Sequence, residues 1–206
     1  MVLRISFEAN LILISMKKIV IFASGSGSNA ENIIRFFKEK NDIKVVGVFC
    51  NNPKAKVIER AQNLQMPCTI FDRETWKNED KMMKEIKNSN ADFIILAGFL
   101  WLVPYYLIQA FPNKIINIHP ALLPSYGGKG MYGEKVHETV VKNKETESGI
   151  TIHLVNEHYD EGEILAQFRV HLSENETPTS LAEKIHELEM KNFPSVIQDY
   201  IIKDKN

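Results

Sequence analysis

The chain has 206 residues, 44% hydrophobic and 25% charged, with a formal net charge of −1. That fits one sizeable globular domain. A near-neutral balance with no arginine-rich or aromatic-interleaved patch excludes a field that would draw the chain to nucleic acid or an anionic membrane. Leu11-Ile12-Leu13-Ile14 is far too short to span a bilayer and lacks the basic flank and small-residue cleavage site of a signal peptide. Met16-Lys17-Lys18-Ile19-Val20-Ile21 reads as a natural start, so residues 1–15 are expected to be an N-terminal extension and residues 16–206 a single domain. Cys50 and Cys68 lie at or near apolar runs and read as buried thiols. No Cys-x-x-Cys or His/Cys cluster points to zinc, and no metal is expected.

Apolar runs alternate with helix-periodic segments from residue 18 onward. Residues 18–23 form an apolar strand and 29–40 a helix with Ile33, Ile34, Phe36 and Phe37 on its apolar stripe. A second strand spans 44–50. A helix is predicted to open at Pro53, a position proline tolerates, and to run to about Leu64. Residues 68–71 form a short third strand, 76–88 one polar helix and 92–97 a fourth strand. A short helix follows Pro104, and a fifth strand spans 114–118. Strands apolar on both faces imply a parallel sheet covered by helices. After the glycine-rich loop from Gly127 to Gly130 come a helix over 134–143, alternating strands over 149–155 and 164–172, and a long helix over 178–200. The whole predicts an α/β, doubly wound, Rossmann-like fold with a mostly parallel sheet of about seven strands.

Chemistry concentrates in a few places. In Asn117-Ile118-His119-Pro120-Ala121-Leu122-Leu123-Pro124 an amide and an imidazole two residues apart project to one side of an extended strand that Pro120 ends. Strand C-termini are where open α/β sheets place ligands. An amide donor beside a protonatable ring suits a reaction in which a carbonyl oxygen gains negative charge. Ser24-Gly25-Ser26-Gly27-Ser28-Asn29 joins the first strand to the first helix, and the amides of Gly27, Ser28 and Asn29 would point at an anion. The loop has neither a P-loop lysine nor dinucleotide-site spacing, so it reads as a phosphomonoester site or as a flexible capped turn.

Tyr159-Asp160-Glu161-Gly162 marks a loop. Asp160 either caps a turn or stands near His119, where its charge would raise the histidine pKa. His153, in an alternating strand, reads as a packed core residue. His137 falls in the helix after the glycine loop, and His158 and His171 read as exposed. His186 and Glu189 share a face of the last helix. The apolar stretch from Ala97 to Val103 reads as plain core or as one wall of a slot for a flat heterocycle.

These motifs, in this order, resemble phosphoribosylglycinamide formyltransferase: Gly25-Ser26-Gly27-Ser28-Asn29, then Ala97-Gly98-Phe99, then the run from Asn117 to Pro124, with Asp160-Glu161-Gly162 and the Glu189…Phe193-Pro194 end of the last helix. The resemblance covers residues 17–200. It implies transfer of a formyl group from 10-formyltetrahydrofolate, a co-substrate, to the amine of glycinamide ribonucleotide (GAR), with no metal. It puts the oxyanion-binding amide on Asn117, the proton-donating histidine on His119 and the assisting carboxylate on Asp160. The substrate phosphate would lie on Gly27, Ser28 and Asn29, with further substrate contacts at His186 and Glu189. The pterin would lie along Leu100, Trp101, Leu102 and Val103, beside Asn117 and Asp160. Trp101 stands where many members carry arginine, Ala121 where many carry serine, and Met190 where a histidine is frequent.

A cytoplasmic monomer or weak homodimer is expected. Methionyl-tRNA formyltransferase is a related possibility that normally carries a further C-terminal domain. Formyltetrahydrofolate deformylase usually carries an N-terminal regulatory domain. A non-catalytic phosphoribosyl- or folate-binding module is the alternative from another class.

Overall fold

A computed structural model describes residues 16–203, so the expected extension over 1–15 lies outside the described residues. In chain order the elements are β1 (Lys17–Ala23), α1 (Ser28–Phe37), β2 (Ile43–Cys50), α2 (Lys56–Asn63), β3 (Cys68–Ile70), α3 (Arg73–Lys77) and α4 (Glu79–Ser89). There follow β4 (Phe93–Leu96), α5 (Tyr105–Ala110), β5 (Ile115–His119), α6 (Glu134–Lys142), β6 (Glu147–Leu154), β7 (Ile164–His171) and α7 (Pro178–Lys203). The strands form one sheet in the order β3-β2-β1-β4-β5-β6-β7. β1 to β5 pair in parallel, while β6 runs antiparallel to β5 and β7 antiparallel to β6. This is the predicted doubly wound, mostly parallel architecture.

Side-chain alternation along the central strands explains the layers. Ile19, Ile21 and Ala23 of β1, with Phe93 and Ile95 of β4, meet Ile33 and Phe37 of α1 and Leu181, Ile185 and Phe193 of α7. Val20, Phe22, Ile94 and Leu96 point the other way, onto Trp76 of α3, Met82 and Ile86 of α4 and Leu107 of α5. Both faces of β1 and β4 are therefore covered, as uninterrupted apolar strands require.

Two predicted elements differ. The helix expected over residues 76–88 is two helices, α3 and α4. Asp72 accepts the Thr75 N–H at 2.8 Å and Asn78 accepts the Lys81 N–H at 3.0 Å, so each starts its own helix, and Asn78 stands in extended backbone between them. Side-chain oxygens that satisfy free N–H groups are what make such residues start helices. The helix expected to open at Pro53 begins instead at Lys56. Asn52 accepts the Lys54 N–H at 3.0 Å through its side chain and the Ala55 N–H at 3.0 Å through its carbonyl, closing a turn before the helix begins.

Phe22 is fully buried, stacked on Phe49 at 4.9 Å between centroids and edge-on to Phe99 at 5.5 Å. Phe22→Ala should destabilise the fold by about 3–5 kcal/mol in urea unfolding. A loss below about 1 kcal/mol would contradict this packing.

Candidate active site

β1 and β4 are adjacent, and the chain leaves their C-terminal ends in different directions, β1 toward β2 and β4 toward β5. Such a switch point opens a crevice between the two following loops. The loops are tied at their base: the Ser24 N–H donates to the Gly98 carbonyl at 3.1 Å and the Leu100 N–H donates to Ser24 Oγ at 3.1 Å. The crevice is a cleft of about 650 Å³, within the range that holds drug-sized ligands. Gly27, Ser28, Asn29, Leu100, Trp101, Leu102, Val103, Asn117, His119, Asp160, His186 and Glu189 all line it. The structure thus gathers every sequence-predicted site residue into one cavity.

At one end is the glycine loop. Gly27 precedes α1 at φ 76°, and a Cβ there would lie 2.5 Å from the Val57 side chain, so the turn needs glycine. No side chain caps α1, which leaves the N–H groups of its first turn free for an anion. The Asn29 side chain reaches across to α7, where Nδ2 donates to Glu189 Oε2 at 2.8 Å. The Asn29 backbone N–H stays at the helix N-terminus, where an anion could meet it. His186 Nδ1 lies 3.8 Å from the same Glu189 oxygen, and that contact holds the ring's pKa above its ordinary value.

The centre is set by the pairing of β5 with β6, which puts Asn117 opposite His153 and His119 opposite Thr151. His153 Nδ1–H donates to the Leu154 carbonyl at 2.7 Å, so its Nε2 is an acceptor for the Asn117 amide at 3.0 Å. A second N–H of Asn117 remains for a ligand oxygen. His119 Nε2–H donates to the Tyr126 carbonyl at 2.8 Å. That leaves Nδ1 facing Asp160 Oδ2 at 3.5 Å. The other Asp160 oxygen lies 3.7 Å from His153 Nε2, and the Gly128 N–H donates to Oδ2 at 2.9 Å. Asp160 itself sits at φ 59°, an uncommon conformation for a residue with a side chain.

Burial and charge oppose each other here. Burial lowers the His119 pKa, and the Asp160 charge pushes it up without overcoming that effect, so the net shift is downward. The carboxylate's effect has the expected sign, but the expected net rise does not occur because the ring is only 4% exposed. For Asp160, burial acts to raise the pKa. The approach of His153, the His119 charge and the Gly128 N–H outweigh it and hold the carboxyl below the ordinary value. At neutral pH the cleft therefore presents a carboxylate facing an unprotonated ring nitrogen.

Residues 97–103 form the apolar wall. Leu100 and Leu102 are exposed along it, whereas Val103 is buried in the core. The Leu102 carbonyl accepts the Trp76 indole N–H at 3.1 Å, which pins the segment. Trp101 packs among Phe71, Trp76 and Phe99, and the Arg73 guanidinium lies over its ring at 3.9 Å. His137 of α6 is buried with Nδ1 unpartnered. His158 and His171 are exposed, as expected.

His153 is buried, as expected of a core residue, yet it also accepts from the Asn117 amide and stands 3.7 Å from Asp160, which sequence reasoning missed. The signal lay in its place opposite Asn117, readable only once the β5–β6 register is known. The Tyr126 carbonyl and the Gly128 N–H were missed as well, because main-chain groups carry no residue signature. Among the described residues, no group of three or more His, Cys, Asp and Glu side chains is placed to hold a metal ion, and no helix is long and apolar enough to cross a membrane.

The seven-stranded, mostly parallel sheet is that of a formyl transferase domain: the family model described as formyl transferase matches residues 17–197. Phosphoribosylglycinamide formyltransferase of Bacillus subtilis (strain 168) is 38% identical over 191 residues, covering 90% of this chain and 95% of the relative. The chloroplastic phosphoribosylglycinamide formyltransferase of Arabidopsis thaliana is 39% identical over 187 residues, covering 88% of this chain and 64% of that longer protein. The crystal structure of phosphoribosylglycinamide formyltransferase from Bacillus halodurans superposes with a TM-score of 0.81 at 33% identity, covering 92% of this chain and 96% of that one. The chain belongs to the phosphoribosylglycinamide formyltransferase family and is an enzyme of formyl transfer.

His153→Leu should leave the Asn117 amide without its acceptor. Leaving such a group unsatisfied costs about 1–3 kcal/mol of stability. The Asp160 pKa should rise, because a contact that lowers it has gone. Denaturant unfolding and carboxyl carbon NMR would measure both, and an unchanged Asp160 titration would contradict the influence of His153 on it.

Proposed function

We propose that the chain transfers the formyl group of 10-formyltetrahydrofolate to the primary amine of N1-(5-phospho-D-ribosyl)glycinamide, giving formyl-GAR and tetrahydrofolate in purine biosynthesis. The observation that carries this reading is the convergence of Asn117, His119 and Asp160 in one cleft, between an uncapped glycine turn and an apolar wall. Family membership supports the chemistry.

The cleft offers each substrate a matching surface. The backbone amides of Gly27, Ser28 and Asn29 hold the phosphate at the N-terminus of α1. Glu189 and His186 meet the polar body of the ribonucleotide. Residues 100–103 offer Leu100 and Leu102 to the flat face of the pterin, with backbone groups for its polar edge. The folate supplies an activated one-carbon unit on N10. Holding both substrates in one crevice turns a two-body encounter into a local one.

Asn117 and His119 then act on charge that develops only as the amine attacks the formyl carbon. The free N–H of Asn117 binds the oxygen that becomes negative, an effect of about 3 kcal/mol for a well-placed donor. His119 Nδ1 takes up the proton the amine must lose, directly or through water. Asp160, at 3.5 Å, stabilises the imidazolium that results. That imidazolium faces the oxyanion and returns its proton to N10 as the bond to carbon breaks. One proton leaves the amine and one reaches N10, so the ring ends as it began. No enzyme-bound acyl group is needed.

The test is to follow deformylated folate by absorbance with and without GAR. Release that depends on GAR is expected. Release to water alone would indicate a deformylase, and binding without turnover a non-catalytic module; either would overturn the reading. In the same assay Asp160→Asn should fold normally yet lose turnover by on the order of 10²-fold or more. Near-normal turnover across neutral pH would remove Asp160 from the mechanism. Asn117→Ala should lower kcat by about 10²-fold while leaving KM for GAR near its normal value. A change confined to KM would contradict its role.

A further inference from the structure

His119 and Asp160 are each held by the same short turn. The Tyr126 carbonyl accepts the His119 Nε2–H at 2.8 Å, and two residues later the Gly128 N–H donates to Asp160 Oδ2 at 2.9 Å. The first bond decides which ring nitrogen carries the proton in the neutral imidazole. With Nε2 protonated, Nδ1 is the free acceptor, and it is Nδ1 that faces Asp160. The second bond aims the carboxylate. Gly127 between them is closely packed: a Cβ there would lie 2.5 Å from Leu123 Cδ2 and 3.2 Å from Asp160 Cβ, so a side chain would displace one or both.

Something must hold this turn in place, because Tyr126 itself sits at φ 59°, a backbone conformation that residues with side chains disfavour. The Tyr126 side chain supplies the hold. It leaves the cleft and packs partly against the hydrophobic core. Its hydroxyl donates to Glu145 Oε1 at 2.5 Å and accepts from Asn143 Nδ2 at 3.0 Å. Asn143 caps the C-terminal end of α6, and Glu145 lies in the turn before β6. Neither touches the cleft that holds His119.

We propose that Tyr126 is a positioning residue for formyl transfer: its phenol, clamped by Asn143 and Glu145 outside the cleft, fixes the backbone carbonyl that sets the His119 tautomer and its alignment with Asp160. The inference rests on the functional reading above for its effect on turnover, but not for its effect on the ring. Tyr126→Phe removes the hydroxyl and keeps the packing. Glu145→Ala removes the acceptor from an exposed turn. Glu145→Gln keeps a carbonyl oxygen that can still accept the phenol's proton.

The experiment measures kcat and both KM values for these three variants, together with ¹⁵N spectra of His119 in the substrate-free proteins. Tyr126→Phe and Glu145→Ala should lower kcat by about 10-fold or more, since a misplacement of an ångström costs on the order of 10²-fold. Both KM values should stay within about two-fold of wild type. The His119 signals should shift from a pure Nε2–H form to a mixture of tautomers. Glu145→Gln should match wild type in both readouts. The proposal is overturned if Tyr126→Phe keeps wild-type turnover and tautomer, if turnover falls while the tautomer is unchanged, or if Glu145→Gln is as impaired as Glu145→Ala. Should the wild-type protein fail to formylate GAR, the functional reading falls, while the tautomer comparison still decides the role of Tyr126.

Discussion

Two acceptors face each other across 3.5 Å in a buried part of the cleft: the Nδ1 lone pair of His119 and the carboxylate of Asp160. A proton placed between them would satisfy both. Burial keeps it away, because a charged imidazole in this setting loses more hydration than Asp160 returns. The resting site is therefore one proton short. In the proposed reaction, attack by an amine on a carbonyl carbon would supply what is missing: a proton to be taken up and a negative oxygen that makes the imidazolium worth forming. An acid already charged in the resting state would have no capacity to accept that proton.

The fold makes this arrangement in layers. Parallel strands bring the ends of β1, β4 and β5 to one edge, and the change of direction between β1 and β4 opens the crevice. The antiparallel step from β5 to β6 then sets His153 against Asn117. It fixes the amide by a bond to a ring whose other nitrogen is already engaged with the Leu154 carbonyl. α7 completes the far wall with Glu189, which holds Asn29 across the cleft and His186 along its own helix. Each of these side chains is thus placed by a partner from a different segment, as preorganisation requires.

Much of this was legible in the residues. The uninterrupted apolar runs at β1 and β4 demand cover on both faces, and the helices provide it. Asn117 and His119, two apart before a proline, had to share a side of a strand end. The glycine turn could be read as an anion site because its spacing excludes the triphosphate and dinucleotide alternatives. What stayed hidden depended on pairing register or on the main chain. His153 looks like any histidine in an alternating strand until β6 is laid against β5. Tyr126 contributes a carbonyl, which every residue has. The split at Asn78 was hidden because the flanking residues keep a helical pattern across the break. The sign of the His119 shift was hidden because a sequence names the charged neighbour but not the depth of burial.

The most direct test is an NMR titration of His119 in the substrate-free enzyme and again with a stable analogue of the tetrahedral adduct bound. The account predicts protonation below the ordinary histidine value of 6.5 in the free protein and above it once an anionic oxygen occupies the site. A ring already protonated above that value in the empty cleft, or one whose titration does not move when the analogue binds, would contradict it.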